Sequence, residues 1–187
     1  MNPMAVAQHM TAHEFLAQGF DGVRSELVAG EVIVQEPRLT HQRVVRDLGY
    51  ALHAWALAAP GRGEVSFPID VLIDENNVFG PDLLWYATGR SPSRGAEPPY
   101  PVPDLAVEVR SPSTWRYDIG AKKSAYERNG LPELWLVDTS ADEVIVFRRS
   151  ARTSPSFDVS LELGRDDALS SPQLPGFTLA LDALFER

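Results

Sequence analysis

The sequence has no cysteine, no long apolar run and no excess of basic residues. Because cysteine is absent, disulfide bonds and thiolate-ligated metal sites are excluded. The longest mostly apolar stretch, residues 51–59, is interrupted by His53 and is far too short to cross a bilayer. The first residues lack the basic and apolar regions of a secretory signal peptide. We therefore expect a soluble, cytoplasmic protein that does not bind membranes.

The size and charge of the chain limit its fold and its partners. It has 187 residues, of which 44% are apolar and 23% are charged, and we expect residues 1–187 to form one domain with a single core. The formal net charge of −9 disfavours a nucleic-acid enzyme, because phosphate contacts require Lys and Arg. Residues 87–128, however, hold seven basic and five acidic side chains, a net charge of +2, so the remainder carries −11. A region that could face a phosphate is thus the least acidic part of the chain.

Hydrophobic periodicity predicts helices interspersed with short strands. Helices are predicted over residues 11–18, where Thr11 and Glu14 have capping-box spacing, over 41–58 and over 118–129. A hairpin over residues 25–36 is predicted to turn at Ala29-Gly30. Other strands are predicted at residues 65–74, 78–86, 105–109, 134–138, 144–149 and 157–163, before a short final strand and a terminal helical turn. This pattern is typical of a mixed sheet in an α/β (α+β) fold.

Acidic residues lie beside or inside two of the predicted strands. Pro81-Asp82 and Pro103-Asp104 each precede an apolar run, and Glu108 lies within Leu-Ala-Val-Glu-Val. A carboxylate inside such a strand is costly to bury, which favours a function for Glu108. Asp104 and Glu108 point to the same face but lie about 13 Å apart, at about 3.3 Å per residue. They therefore cannot both bind one small cation.

Asp82 is the natural second ligand for a cation that Glu108 binds, because it is delivered by a different strand. The backbone carbonyl of Val109 would be a third oxygen ligand. Hard oxygen ligands with open water positions suit Mg²⁺ or Mn²⁺. The alternative for Asp82 and Asp104 is a turn or cap at strand entry, where Pro-Asp is common.

Two basic residues compete for a place beside these carboxylates. Arg110 lies two residues after Glu108, where some nucleases keep a lysine, but a guanidinium cannot release a proton and could only stabilise charge. Lys122 lies on a predicted helix and is the better candidate, because an ammonium can both donate hydrogen bonds and exchange a proton.

Helix phase supports Lys122 over its neighbour Lys123. Ile119, Lys122 and Tyr126 fall on one predicted face, whereas Lys123 points about 100° away. A lysine directed inward is costly unless carboxylates pair with it. The alternative is a surface ion pair between Lys122 and Asp118 at i, i+4 spacing, which is worth a few tenths of a kcal/mol.

Several short sequence motifs follow one another along the chain. They are Glu26-Leu-Val-Ala-Gly-Glu31, His41-Gln42, Pro81-Asp82, Pro103-Asp104-Leu-Ala-Val-Glu108-Val-Arg-Ser-Pro, Asp118 with Lys122 and Tyr126, and Gly130-Leu-Pro-Glu-Leu-Trp135-Leu-Val-Asp138. Together these motifs resemble the Uma-type restriction endonuclease family of the PD-(D/E)XK nuclease superfamily. The resemblance covers nearly the whole chain, and the ordered set is far more specific than any one motif.

The resemblance implies a restriction-endonuclease-like core, in which a central mixed sheet is flanked by helices and joined by additional antiparallel strands. It implies that Asp82 and Glu108 hold the metal and that Lys122 positions or polarises the attacking water. It also implies that Glu26 and His41 line the site. Without the resemblance, Glu26 is no more than a hairpin residue, and His41 is a structural contact at the start of a helix.

Two functions from different classes remain. The first is a Mg²⁺-dependent or Mn²⁺-dependent endonuclease acting on DNA, with Asp82, Glu108, Lys122, Glu26 and His41 as its catalytic residues. The second is a catalytically silent module that binds nucleic acid or a protein partner. It is motivated by the charge of −9 and by the lack of a base-reading element such as a zinc finger. We also expect a homodimer, because two sites most simply cut two strands and two-fold symmetry is the commonest assembly.

Overall fold

A six-stranded mixed sheet organises the molecule, for which a computed structural model describes residues 9–19, 24–112 and 114–186. Its strands are β3 (Glu64–Ser66), β6 (Leu83–Tyr86), β7 (Leu105–Val109), β8 (Glu133–Asp138), β9 (Glu143–Arg148) and β10 (Val159–Leu163). Their order across the sheet is β10-β9-β8-β7-β6-β3. Strands β7 and β8 are parallel, and the other neighbouring pairs are antiparallel.

A second, four-stranded antiparallel sheet contains β1 (Ser25–Val28), β2 (Glu31–Val34), β4 (Val71–Asp74) and β5 (Asn77–Phe79) in the order β2-β1-β5-β4. The β1–β2 turn places Ala29 at φ 51° and Gly30 at φ 79°. Positive φ at both central residues is the conformation of a type I′ hairpin turn, which matches the twist of the strands. A short third sheet pairs β11 (Ala168–Leu169) with β12 (Leu179–Ala180).

The helices are α1 (Ala12–Gln18), α2 (Leu39–Leu57), α3 (Trp115–Tyr117), α4 (Lys123–Arg128) and α5 (Leu181–Leu184). A π-helical segment, Asp118–Lys122, joins α3 to α4. Thr11 caps α1 and exchanges hydrogen bonds with Glu14, so the predicted capping box is confirmed. In the described ranges, no helix combines the length and apolar character needed to cross a membrane.

The strands of the six-stranded sheet bury alternate side chains on its two faces. On one face, Leu105, Val107 and Val109 of β7 pack with α2 and the C-terminal segment. On the other face, Ala106 packs in a cluster with residues of α4 and of the four-stranded sheet. Glu108 shares the face of Ala106 because side chains alternate along a strand. Its carboxylate therefore enters the layer between the two sheets.

The predicted fold class is confirmed, and so are the hairpin, the long helix and β7. The strands predicted at residues 65–74 and 78–86 were wrong as single elements. Each is divided into two strands that belong to different sheets, β3 and β4 in the first case and β5 and β6 in the second. Pro68 and Pro81 lie at these divisions, where proline cannot donate a ladder hydrogen bond.

Candidate active site

Glu108 lies near the end of β7 and is 3% exposed. Its Oε1 accepts a hydrogen bond of 2.8 Å from the hydroxyl of Tyr126 on α4. The same oxygen lies 2.8 Å from Nζ of Lys122. The strand therefore delivers the carboxylate, and the helical segment that follows β7 supplies both of these partners.

Lys122 is almost fully enclosed, with 1% of its side chain exposed. Its Nζ donates hydrogen bonds to both carboxylate oxygens of Glu26 on β1, at 2.9 and 3.0 Å. It also lies 2.8 Å from Glu108 Oε1 and 3.2 Å from Asp118 Oδ1. One ammonium thus contacts three carboxylates from three separate elements.

Burial and the neighbouring negative charges disfavour ionisation of Glu108 and Asp118. Burial raises the pKa of Glu108 well above its usual value, and the nearby charges of Glu26, Asp118 and Asp82 add to the effect while Lys122 opposes it. Burial likewise raises the pKa of Asp118, to about 6. For Lys122, burial opposes protonation, but the three carboxylates outweigh it and raise the pKa well above the usual value. Lys122 is therefore an ammonium at neutral pH.

Asp82 lies immediately before β6 and is 3% exposed. Its Oδ1 accepts a 2.8 Å hydrogen bond from Nη2 of Arg24. Its Oδ2 accepts one of 2.8 Å from the amide of Val109 and lies 3.1 Å from Nε2 of His41. Burial opposes ionisation, but His41, Arg24 and the Val109 amide together hold the pKa of Asp82 below its usual value. Asp82 is thus an ionised carboxylate at neutral pH.

Asp82 and Glu108 line the same small cavity, of about 10 Å³, which is close to the room that one water molecule needs. Val109, His41 and Asp118 line it as well. Among the described residues, His41 Nδ1 is buried without a hydrogen-bond partner, and Asp118 Oδ1 pairs with Lys122 at 3.2 Å. The cavity is therefore polar and has hydrogen-bonding capacity that the described protein atoms do not use.

The donor set fits a hard divalent cation that keeps several waters. Within residues 9–19, 24–112 and 114–186, no group of three His, Cys, Asp or Glu side chains is arranged to hold a metal ion. Two carboxylates, Asp82 and Glu108, nevertheless line one cavity together with Val109. Mg²⁺ is commonly bound by one or two carboxylates with water completing its shell, so a closed cage of side chains is not required.

The structure brings together all the residues that were predicted for the site. Asp82, Glu108 and Val109 line one cavity, His41 contacts Asp82, and Glu26 contacts Lys122. Whether they act in catalysis stays a prediction.

One detail of the sequence analysis was wrong, the face that Ile119 was predicted to share with Lys122. For Arg110, which was passed over in favour of Lys122, and for Asp104, the structure shows the partners. Arg110 donates a 2.6 Å hydrogen bond to Asp138, so its guanidinium is engaged away from Glu108. Ile119 is 47% exposed and does not share the buried face of Lys122. The π-helical segment shifts the helical phase there. Asp104 lies immediately before β7 and is 0% exposed. It accepts a hydrogen bond from the amide of Ala87, the residue after β6. It is a buried strand-entry residue, which is the alternative that the sequence analysis gave for it.

Sequence reasoning missed Arg24 altogether and gave Asp118 only a surface role. Arg24 lies two residues before Glu26, so strand periodicity places both side chains on one face. That spacing was the available signal. Asp118 was recognised as an i, i+4 partner of Lys122, which the structure confirms at 3.2 Å. The inward position of Lys122 was predicted, but the burial of Asp118 was not, because it depends on the second sheet covering the segment.

Comparisons with known proteins agree with this fold. The family model of Uma2, described as "Putative restriction endonuclease", matches residues 12–182. A solved structure from Anabaena variabilis, described as "a putative nuclease belonging to DUF820", is similar with a TM-score of 0.78 and 17% sequence identity. The match covers 94% of this chain and 97% of that one, and at this identity it shows the fold alone. No curated protein matches. Since the family model spans most of the sequence, the chain belongs to the Uma2 family of restriction endonuclease-like proteins.

Proposed function

We propose that the protein is a Mg²⁺-dependent or Mn²⁺-dependent endonuclease that hydrolyses phosphodiester bonds of DNA. The observation that carries this proposal is Lys122, a buried ammonium in contact with Glu26, Glu108 and Asp118, of which the last two line one cavity with Asp82. Burying so many charges costs several kcal/mol per ion before pairing, and apolar residues would fill the same space more cheaply. Such clusters in a cavity are candidate functional sites for that reason.

Asp82, Glu108 and the carbonyl of Val109 would hold the cation. When bound, a divalent cation supplies Lewis acidity that polarises a phosphate and its attacking water. Lys122 would donate a hydrogen bond to a phosphate oxygen or to the water. Because its raised pKa keeps it protonated, we assign it charge stabilisation and orientation, not proton abstraction. Glu26 holds Lys122 and His41 holds Asp82, so both act as positioning residues.

One observation favours a second candidate, the non-catalytic binding module. Both proposed metal ligands are already paired with protein cations, Asp82 with Arg24 and Glu108 with Lys122. A module without chemistry would keep these pairs permanently. Calorimetric titration with Mn²⁺ tests the endonuclease, because an enzyme that uses this site must bind Mn²⁺ in a manner that depends on Asp82; the absence of such binding would favour the module.

The endonuclease is tested by nicking of supercoiled plasmid in Mg²⁺ or Mn²⁺. Asp82→Asn should reduce the nicking rate about 100-fold, the effect of roughly 3 kcal/mol of lost transition-state stabilisation. The matched control is Asp104→Asn, because Asp104 also follows a proline, is equally buried and also contacts arginine. This control should nick within about threefold of the wild-type rate.

Circular dichroism and thermal melting of both variants exclude unfolding as the cause. Equal losses of nicking activity in folded Asp82→Asn and Asp104→Asn would show that the loss is not specific to Asp82 and would contradict its role as a metal ligand. Wild-type protein that binds Mn²⁺ through Asp82 but cuts neither DNA nor RNA would exclude the endonuclease and leave a metal-dependent binding module.

A further inference from the structure

A second and much larger cavity lies away from the candidate active site. Its volume is about 700 Å³, within the usual range of about 300–1,000 Å³ for small-molecule sites. Its walls come from the region after α2, the ends of β6 and β9 and the segment before β12. The residues that matter here are four arginines, two tryptophans and three prolines: Arg62, Arg148, Arg149, Arg152, Trp55, Trp85, Pro132, Pro172 and Pro175.

Strand register places this cavity at the opposite end of the six-stranded sheet from Glu108. Leu105, the first residue of β7, is level with Glu133 of β8, which in turn is level with Arg148 of β9. Pro132 and Arg148 both line the cavity. Glu108 lies three residues further along β7, or about 10 Å at about 3.3 Å per residue. A ligand here would therefore not occupy the proposed metal site.

The lining of this cavity is positively charged, although the protein as a whole carries −9. Its described lining includes four arginines and no acidic residue. Behind the lining, Glu133 lies 3.9 Å from Arg148 and Asp104 lies 3.6 Å from Arg152, so two buried carboxylates offset two of the four charges. A net positive cavity on an acidic protein points to an anionic ligand.

Two of the arginines are held in place by uncharged partners and so retain their full charge. Arg62 donates a 2.8 Å hydrogen bond to the carbonyl of Trp55, and its guanidinium lies 4.9 Å from that indole ring. Arg149 donates to the carbonyls of Leu131, Glu127 and Ser154. Fixed in this manner, Arg62 is suited to bind phosphate oxygens, because little side-chain entropy is lost on binding. Arg149, whose three nitrogens each bond a carbonyl, mainly adds positive charge to the cavity.

The rest of the lining is mainly apolar. The three prolines contribute rigid ring surfaces, Trp55 and Trp85 contribute less because they are 7% and 5% exposed, and Thr88, Ser150 and Gln173 add polar groups. A ligand that matches this lining has a phosphate group and a planar ring. We infer that this cavity binds a nucleoside monophosphate, with its base against the apolar wall and its phosphate near Arg62 and Arg152. Arg152 is chosen over Arg149 because its side chain is 68% exposed, whereas Arg149 already donates to three carbonyls.

Isothermal titration calorimetry of the whole protein with AMP tests this inference. We expect one AMP to bind per chain, at least about tenfold tighter than adenosine, which lacks the charge, or inorganic phosphate, which lacks the ring. Saturable binding of phosphate as tight as that of AMP would overturn the assignment to a nucleotide. So would the absence of AMP binding at millimolar concentration.

Substitutions locate the site. The double variant Arg62→Gln/Arg152→Ala should weaken AMP binding about tenfold or more, because it removes two phosphate contacts. The matched control is Arg46→Ala, since Arg46 is 69% exposed and Arg152 is 68% exposed, and each has one acidic partner. Arg46 does not line this cavity and its loss should change the affinity by less than about twofold. Equal weakening by both variants would overturn the site, as would AMP binding that the double variant leaves intact. The result does not depend on nuclease activity.

Discussion

Asp82 and Asp104 are two versions of one local motif that end in different environments. Each follows a proline, each precedes a strand, and they are 3% and 0% exposed. Asp82 contacts Arg24, His41 and the Val109 amide near the end of β7, beside Glu108. Asp104 lies at the start of β7.

The partners of Asp104 explain why it is not a second site. It accepts a hydrogen bond from the Ala87 amide and contacts Arg90 and Arg152, which are 44% and 68% exposed. It has no buried lysine or second carboxylate among these contacts. In both places the Pro-Asp pair gives a buried aspartate at strand entry. The segments that pack around the aspartate determine which other charged groups it contacts.

The largest effect on the free energy of unfolding should come from removing the charge of Lys122, which lies near Glu108 at the active-site end of the six-stranded sheet. Lys122→Met leaves Glu26, Glu108 and Asp118 buried without their shared partner, so we expect a loss of about 3–5 kcal/mol in the free energy of unfolding. Arg90→Met, which removes a half-exposed partner of Asp104, should cost about 1 kcal/mol or less. Urea unfolding of both variants measures these values. Similar losses of unfolding free energy in Lys122→Met and Arg90→Met would contradict the difference between the surroundings of Asp82 and Asp104.

The two ends of the six-stranded sheet should also differ in how stability depends on pH. The pKa of Asp118 is about 6 in the folded protein against an ordinary 3.8, so the folded state binds more protons between these values. The contribution of Asp118 to stability should therefore be fully present below about pH 4 and fall by up to about 3 kcal/mol as pH rises through 6. Asp118→Asn should make this decline shallower in denaturant titrations from pH 4 to 7.

The control for this pH effect lies at the opposite end of the sheet. Asp158 precedes β10 near Arg148, and hydrogen bonds from Ser150 lower its pKa to about 2. Its contribution to stability is lost only as pH falls below the ordinary value and through 2. Asp158→Asn should leave the slope between pH 4 and 7 unchanged, and a slope that stays the same in Asp118→Asn would exclude Asp118 as its source.

The smallest effect concerns the arginines that pair with the two aspartates. Arg24 must give up Asp82 Oδ1 when a cation binds there, so Arg24→Gln should tighten Mn²⁺ binding about tenfold. Arg90→Gln alters only the Asp104 end and should leave Mn²⁺ affinity unchanged. Calorimetry with Mn²⁺ measures both. Weaker binding by Arg24→Gln would instead mean that Arg24 orients Asp82 for the metal.

Local patterns predicted the elements whose signals lie within a few residues. The capping box at Thr11, the turn at Ala29-Gly30 and the apolar run of β7 are examples. Residues 65–74 and 78–86 were each predicted as one strand, because apolar content does not show which sheet a residue joins. That choice depends on pairing partners distant in sequence, such as Leu27 with Val78.

The site residues were predictable as types but not as a network. A glutamate within an apolar strand and a lysine on a buried helical face each suggest function, because each is expensive to bury alone. The bonds from Lys122 to Glu26 and from Arg24 to Asp82 span 96 and 58 residues, and no local pattern encodes them. The π-helical segment also changed the phase on which the choice of Lys122 was based.

The amino-acid sequence was enough to assign the family and the fold class and to select Asp82, Glu108, Lys122, Glu26 and His41 as candidate site residues. The tertiary structure was needed to show that Arg24 pairs with Asp82, that Asp118 is buried and that Lys122 contacts three carboxylates at once. The physical reason is that strand register and the packing of the second sheet fix which charges meet in a low-dielectric interior. Those distances, more than the residue types, set the protonation of the site and the chemistry we propose for it.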